Sequence, residues 1–142
     1  ILLTYGSYVK TKEDIAMTFP EELKYTKTHE WVKYQDDGTA YIGITDYAQD
    51  QLGDLVFVNL PAEGDALEAE SSFADVESVK AVSDVNSPVT GTVGKVNDAL
   101  ADEPEQMNKA PYEAWFVLAE DITDTEELMS AAEYEAFVAA EG

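Results

Sequence analysis

Short runs of alternating apolar and polar residues recur along most of the chain, the two-residue period of half-buried strands. Trp31-Val32-Lys33-Tyr34 and Thr39-Ala40-Tyr41-Ile42-Gly43-Ile44 read as two strands joined through an acidic turn at Asp36-Asp37-Gly38. Residues 45–53 read as a short helix, started by Thr45 or Asp46 and ended by Gly53. A strand over 55–60 stops at Pro61 and turns at Glu63-Gly64-Asp65. Further short strands are expected around 72–79, 82–85, 91–96 and 115–119, with turn residues between them. So many short strands at this spacing predict a small sandwich or barrel.

The pattern changes near the C-terminus. Thr123-Asp124-Thr125-Glu126 and Ser130-Ala131-Ala132-Glu133 both have capping-box spacing, and the sequence is then alanine-rich through Ala140. Leu128, Tyr134, Phe137 and Val138 form a predicted apolar stripe that would lie on the sheet. Residues 17–142 are therefore expected to make one mainly β domain, with a short internal helix and C-terminal helices. Residues 1–16 fit poorly with the strand pattern of the rest and read as a leader, tag remnant or upstream tail before Met17. They lack the arginine-rich, acid-poor character of a transit peptide, and function is not expected to depend on them.

Composition narrows the function classes. The 142 residues are 45% hydrophobic, enough for a core, and no apolar run is long enough for a membrane span. With no cysteine, disulfides, thiolate metal sites and cysteine nucleophiles are excluded. Thirty acids against eight bases give a net charge of −22, and every base is a lysine. Such a field repels phosphate backbones, which argues against nucleic acid as a partner. It keeps the surface solvated, and it can also steer the chain toward basic faces on partners. No metal-binding His-Glu-x-x-His word, nucleophile elbow or glycine-rich phosphate loop is present.

One segment stands out. Phe73-Ala74-Asp75-Val76-Glu77-Ser78-Val79-Lys80-Ala81-Val82-Ser83-Asp84 places a single lysine between two apolar runs, with acids around it. No glycine or asparagine marks the junction as an ordinary hairpin. A surface lysine pairing with neighbouring carboxylates is the plain reading. Against it stand two flanking turn signals, at Pro61-Ala62-Glu63-Gly64-Asp65 and at Ser87-Pro88-Val89-Thr90-Gly91. A lysine held between two such turns resembles the layout of lipoyl and biotinyl carrier domains, where a stiff β scaffold offers the amine at a hairpin tip. Gly64-Asp65-Ala66-Leu67 is faintly echoed by Val96-Asn97-Asp98-Ala99-Leu100, as an internal repeat would be.

Longer words sharpen the likeness. Leu23-Lys24-Tyr25-Thr26 with His29-Glu30-Trp31, then Gly43-Ile44-Thr45-Asp46-Tyr47-Ala48-Gln49, Leu52-Gly53-Asp54, Val56-Phe57-Val58 and Leu60-Pro61 resemble glycine cleavage H proteins. Glu77-Ser78-Val79-Lys80-Ala81 is similar to that family's lipoylation motif. Asn86-Ser87-Pro88-Val89, Asn108 and Pro111-Tyr112 continue the match, in register over about residues 18–140. The family usually has a glycine before the tryptophan that comes after Pro-Tyr; Pro111-Tyr112-Glu113-Ala114-Trp115 lacks it and is one residue shorter. A different turn is expected there.

The resemblance implies a lipoyl/biotinyl-type barrel-sandwich hybrid with no catalytic residues and no metal. Lipoate would be joined as an amide to Lys80, with Glu77, Ser78, Val79 and Ala81 as its attachment motif. The arm would take the aminomethyl group of decarboxylated glycine from a pyridoxal-phosphate glycine decarboxylase to an aminomethyltransferase. A dihydrolipoyl dehydrogenase would then collect the reducing equivalents, and a lipoate ligase or lipoyl transferase would attach the arm. Thr28, Glu30 and Asp84 are the residues that would line a cleft protecting the loaded arm, with a carboxylate near its ammonium. His29, the only histidine, is expected to pack beside Trp31. Without a credible targeting signal the cytoplasm is the expected compartment, and a carrier that docks several enzymes in turn is simplest as a monomer with transient interfaces and no membrane partner.

Three other readings are open at this level. A biotin carrier would place methionines around the lysine, and a 2-oxo-acid dehydrogenase lipoyl domain would read Asp-Lys-Ala; Ser78-Val79-Lys80-Ala81 fits neither. An H-like relay that donates lipoate to other enzymes has the same local sequence. An unmodified acidic adaptor, or a small hydrolase using paired carboxylates, would leave Lys80 bare.

Overall fold

Trp31 and Gly43 show how side-chain size sets the first hairpin. They face each other between β4 (Glu30–Tyr34) and β5 (Ala40–Ile44), and a Cβ on Gly43 would stand 2.6 Å from the indole ring. Only glycine leaves room for that ring. The turn between the two strands uses Gly38 at φ 89°, as the Asp-Gly pattern requires. The computed structural model describes residues 17–141 and, for the backbone alone, a hairpin of β1 (Leu3–Tyr5) and β2 (Tyr8–Lys10). The leader expected over 1–16 otherwise lies outside the described residues.

Two antiparallel sheets carry the rest. The larger has the order β3-β4-β5-β11-β10-β7, with β3 at Lys24–Tyr25, β7 at Ala66–Leu67, β10 at Val89–Val96 and β11 at Val117–Thr125. The smaller has the order β6-β8-β9, from Leu55–Asn59, Ser72–Ser78 and Val82–Asn86. Ile42, Val58, Val76, Val85, Val89, Val93, Phe116 and Val117 are buried in one apolar core to which both sheets contribute. The alternation predicted a small sandwich or barrel, and the mainly β barrel-sandwich arrangement is the one the family resemblance implied.

Helix α1 (Asp46–Leu52) lies where the sequence placed it. Thr45 is the cap: its hydroxyl accepts the Ala48 N–H, and Gly53 closes the far end at φ 83°. Ser130 and Glu133 form the expected box at the start of α4 (Ala131–Glu141), each side chain bonding the other's backbone N–H. Tyr134, Phe137 and Val138 of α4 pack with Tyr25 and Trp31, but Met129 rather than Leu128 joins them. Among the described residues no helix is long and apolar enough to cross a membrane.

Several expectations are corrected. Thr123-Asp124-Thr125-Glu126 starts no helix; Asp124 and Thr125 instead pair with Thr90 and Val89 and extend β11 well past Ala119. Ladder bonds to β10 win over local capping there. The strand expected over 91–96 is present as part of β10, so Gly91 ends no turn; it sits inside the strand at an irregularity, where a Cβ would be 2.6 Å from the Glu120 carbonyl oxygen. The suggested internal repeat also fails: Ala66-Leu67 is a strand, whereas α2 (Asp98–Asp102) covers its echo. A second short helix, α3 (Gln106–Lys109), comes just after it.

Candidate lipoyl-lysine site

Lys80 is exposed at the tip joining β8 to β9. Ser78 makes the turn that glycine or asparagine would usually make. Its hydroxyl oxygen accepts the N–H of Lys80 at 3.2 Å and of Ala81 at 3.0 Å, while its own N–H donates to the Ala81 carbonyl at 2.8 Å. The N–H of Val79 donates to the Asp54 carbonyl at 3.0 Å, tying the tip to the loop after α1. Beneath the tip, Asn108 takes the Leu55 N–H at 2.8 Å and gives its amide to the Gly53 carbonyl at 3.0 Å. The lysine side chain runs past Gly53, close to where a Cβ would stand. The apex is therefore tied down at its backbone, while its amine makes no ion pair among the described residues.

The acids near Lys80 do not neutralise it. Glu77 stands in a row with Phe57 and Val82 across the small sheet, and Asp75 with Asn59 and Asp84 in the next row. Lys80 makes no salt bridge among the described residues; the ion pair present joins His29 to Glu141 at 3.0 Å. A paired surface lysine is thus not what the fold presents.

A cavity of about 170 Å³ opens beside α1, lined by Thr28, His29, Tyr47, Ala48, Gln51, Leu52 and Ser83. Two of its lining residues adjoin the lysine tip in sequence: Leu52 precedes Gly53, which the Lys80 Cε approaches, and Ser83 lies just past the tip. Of the three cleft candidates, Thr28 lines it directly. Glu30 lies buried behind it, its Oε1 accepting the hydroxyls of Thr26 at 2.6 Å and Thr28 at 2.5 Å, and its Oε2 accepting the Asn86 N–H at 3.2 Å. Burial pushes the Glu30 carboxyl above its ordinary range, and those three donors oppose the shift. Asp84 does not line the cavity: it is exposed on β9 opposite Asp75, and alternation along the strand brings its neighbour Ser83 inward instead.

His29 is also corrected. It packs against Tyr47, Tyr134 and Phe137 rather than Trp31, its Nδ1 lying 2.8 Å from the Tyr134 hydroxyl. Its backbone at φ 74° turns the ring toward α1 and α4. Trp31 is instead fixed by Gly43 and by a 3.0 Å hydrogen bond from its Nε1 to the Pro111 carbonyl. Burial lowers the His29 basicity and the Glu141 carboxylate raises it. Sequence reading missed Tyr47, Gln51 and Leu52. Their signal was present, because residues 47, 48, 51 and 52 share one face of a helix.

A second cavity, of about 370 Å³, is lined by Lys27, Glu70, Glu126, Glu127, Met129 and Phe137. The Glu126 Oε1 is buried there without a hydrogen-bond partner among the described residues. Burial, then the charges of Glu30 and Glu70, push that carboxyl up to about 7.

A sequence profile of the family described as "Glycine cleavage H-protein" matches residues 23–141. The chain belongs to the glycine cleavage H-protein family. It is 62% identical over 118 residues to a glycine cleavage system H protein of Lachnoclostridium phytofermentans, covering 83% of this chain and 93% of that one. With a protein of the same name from Oceanobacillus iheyensis it shares 53% identity over 125 residues, covering 86% and 98%. The crystal structure of a glycine cleavage system H protein from Mycobacterium marinum superposes with a TM-score of 0.81 at 38% identity, covering 84% of this chain and 98% of that one. H proteins are carriers that hold lipoate covalently on a lysine. The short Pro111–Trp115 segment, where the family glycine is missing, closes through Ala114 N–H to Ala110 carbonyl at 3.0 Å.

Proposed function

We propose that Lys80 is the lysine through which this chain serves as the lipoyl carrier of a glycine cleavage system. The observation that carries the assignment is its place: an exposed amine without an ion pair among the described residues, at the apex of a turn fixed by Ser78 and propped on Asn108. Amide formation there costs no buried charge and breaks no ion pair among the described residues. When bound, lipoate supplies a sulfur pair that carries the one-carbon fragment and the electrons. Everything else is positioning by this chain. Glu77, Ser78, Val79 and Ala81 frame the amine for the attaching enzyme.

The cavity beside α1 is the resting place for the arm. Leu52, Ala48 and Tyr47 give it an apolar wall, and the Thr28 hydroxyl gives it a polar one. Behind Thr28, the buried Glu30 carboxylate favours a cation in the cavity, because little water intervenes to screen it. Asp84, outside the cavity, contributes only to the surrounding negative field. Partners are then a glycine decarboxylase, an aminomethyltransferase and a dihydrolipoyl dehydrogenase, with a lipoate ligase or lipoyl transferase upstream. A cytoplasmic monomer that visits them in turn completes the reading.

The test is reconstitution. The lipoylated chain with glycine decarboxylase should support glycine-dependent release of carbon dioxide, and Lys80→Arg should not. A relay that only passes lipoate onward would give no glycine-dependent release from the lipoylated chain.

A further inference from the structure

Five large apolar side chains are exposed among the described residues, and four of them lie on the small sheet or at the tip that carries Lys80: Val79 and Val82 at 70%, Val56 at 54% and Phe57 at 48%. The fifth, Tyr34 at 44%, sits on β4 in the other sheet. The clustering has a structural cause. β6 is irregular against β8, where Leu55 faces Ser78 but Phe57 already faces Glu77. The extra residue is Val56, so two consecutive apolar side chains of β6 remain exposed. Phe57 and Val82 then flank Glu77 in one row beside the tip, and Val79 stands on the tip itself.

We propose that this apolar collar around Lys80 is the docking surface for the enzyme that attaches lipoate, and that this enzyme offers an apolar seat with a basic rim. The proposal rests on Lys80 being the carrier lysine. Reach selects the occupant. The unmodified amine extends only one lysine side chain from the backbone, so an attaching active site must close over the tip and touch what flanks it. Enzymes acting on the finished arm work farther out and are free to grip elsewhere. Charge selects the rim, since the exposed acids Asp54, Glu77 and Asp84 border the apolar residues and the chain carries −22 overall. In the reaction served, the amine attacks the lipoyl carbonyl of an acyl adenylate. The C–N bond forms, the C–O bond to AMP breaks, and the amine loses a proton to solvent.

The experiment measures initial lipoylation rates by intact mass, using the full chain, a purified lipoate ligase, lipoate and ATP. Phe57→Ser/Val82→Ser and the milder Val79→Ser are compared with Tyr34→Ser, each with an unchanged thermal midpoint as the folding check. The double variant should lose at least about tenfold in kcat/KM, as truncation of interface anchors does. Val79→Ser should lose less, Tyr34→Ser should match the unsubstituted chain, and added salt should slow the reaction for all. Equal rates for the double variant and the parent would overturn the docking surface while leaving Lys80 as the carrier lysine. A concentration-dependent dimer abolished by the double variant would assign the collar to a second copy and overturn it too. No lipoyl mass on the unsubstituted chain would overturn the carrier assignment and this proposal together.

Discussion

The Ser78 hydroxyl oxygen receives the backbone N–H of Lys80 at 3.2 Å, and that contact fixes the direction in which the lysine leaves the sheet. Ser78→Ala removes this acceptor and the one for Ala81 N–H. Both donors are exposed and can turn to water, so the stability cost should stay near about 0.5–1.5 kcal/mol. Lipoylation should slow several-fold because the amine is less well presented. Chemical denaturation and intact-mass kinetics together separate the two effects.

Asn108 supports the same tip from beneath. Asn108→Ala leaves the Leu55 N–H without its acceptor and the Gly53 carbonyl without that donor. A loss of about 1–3 kcal/mol is expected from such a partly buried site, read as a lower denaturant midpoint at unchanged slope.

Much of this site is legible in sequence because its words are local. The run from Glu77 to Ala81 marks the tip, and Thr45 and Gly53 bracket α1 through capping rules that act over a few residues. The features that sequence misplaces depend on distant partners. Two boxes have the same spacing, yet Ser130–Glu133 caps a helix while Asp124 and Thr125 are drawn into β11 by pairing with β10. Proximity in sequence pairs His29 with Trp31, but its ring meets Tyr134 and Phe137 of α4, more than a hundred residues on. The cavity beside α1 needs residues from the segment before β4, from α1 and from β9, a set no single word contains.

Glu30 is buried and accepts three hydrogen bonds, so Glu30→Ala should cost about 1–3 kcal/mol by leaving Thr26, Thr28 and the Asn86 N–H short of an acceptor. It should also speed hydrolytic loss of the one-carbon fragment from the isolated loaded protein, with little change in lipoylation rate. Unchanged loss rates would remove Glu30 from the cleft assignment.

Glu126 gives a pH signature of opposite sign to the usual acid. Its carboxyl is pushed up to about 7 in the fold, so its contribution to stability is full below the unfolded carboxylate range and is lost as pH rises through about 7. Glu126→Gln should therefore melt higher than the parent at pH 8, with the difference shrinking toward pH 5. Thermal melts across that range measure it; a constant offset would show that the carboxyl is not titrating there.

The carrier role depends on one amine. Intact-mass and peptide mapping of the chain from lipoate-supplied cells measure it directly. One lipoyl group per chain, located on Lys80 and lost in Lys80→Arg, is the predicted result. An unmodified Lys80, or a lipoyl group on any of the other seven lysines, would contradict it.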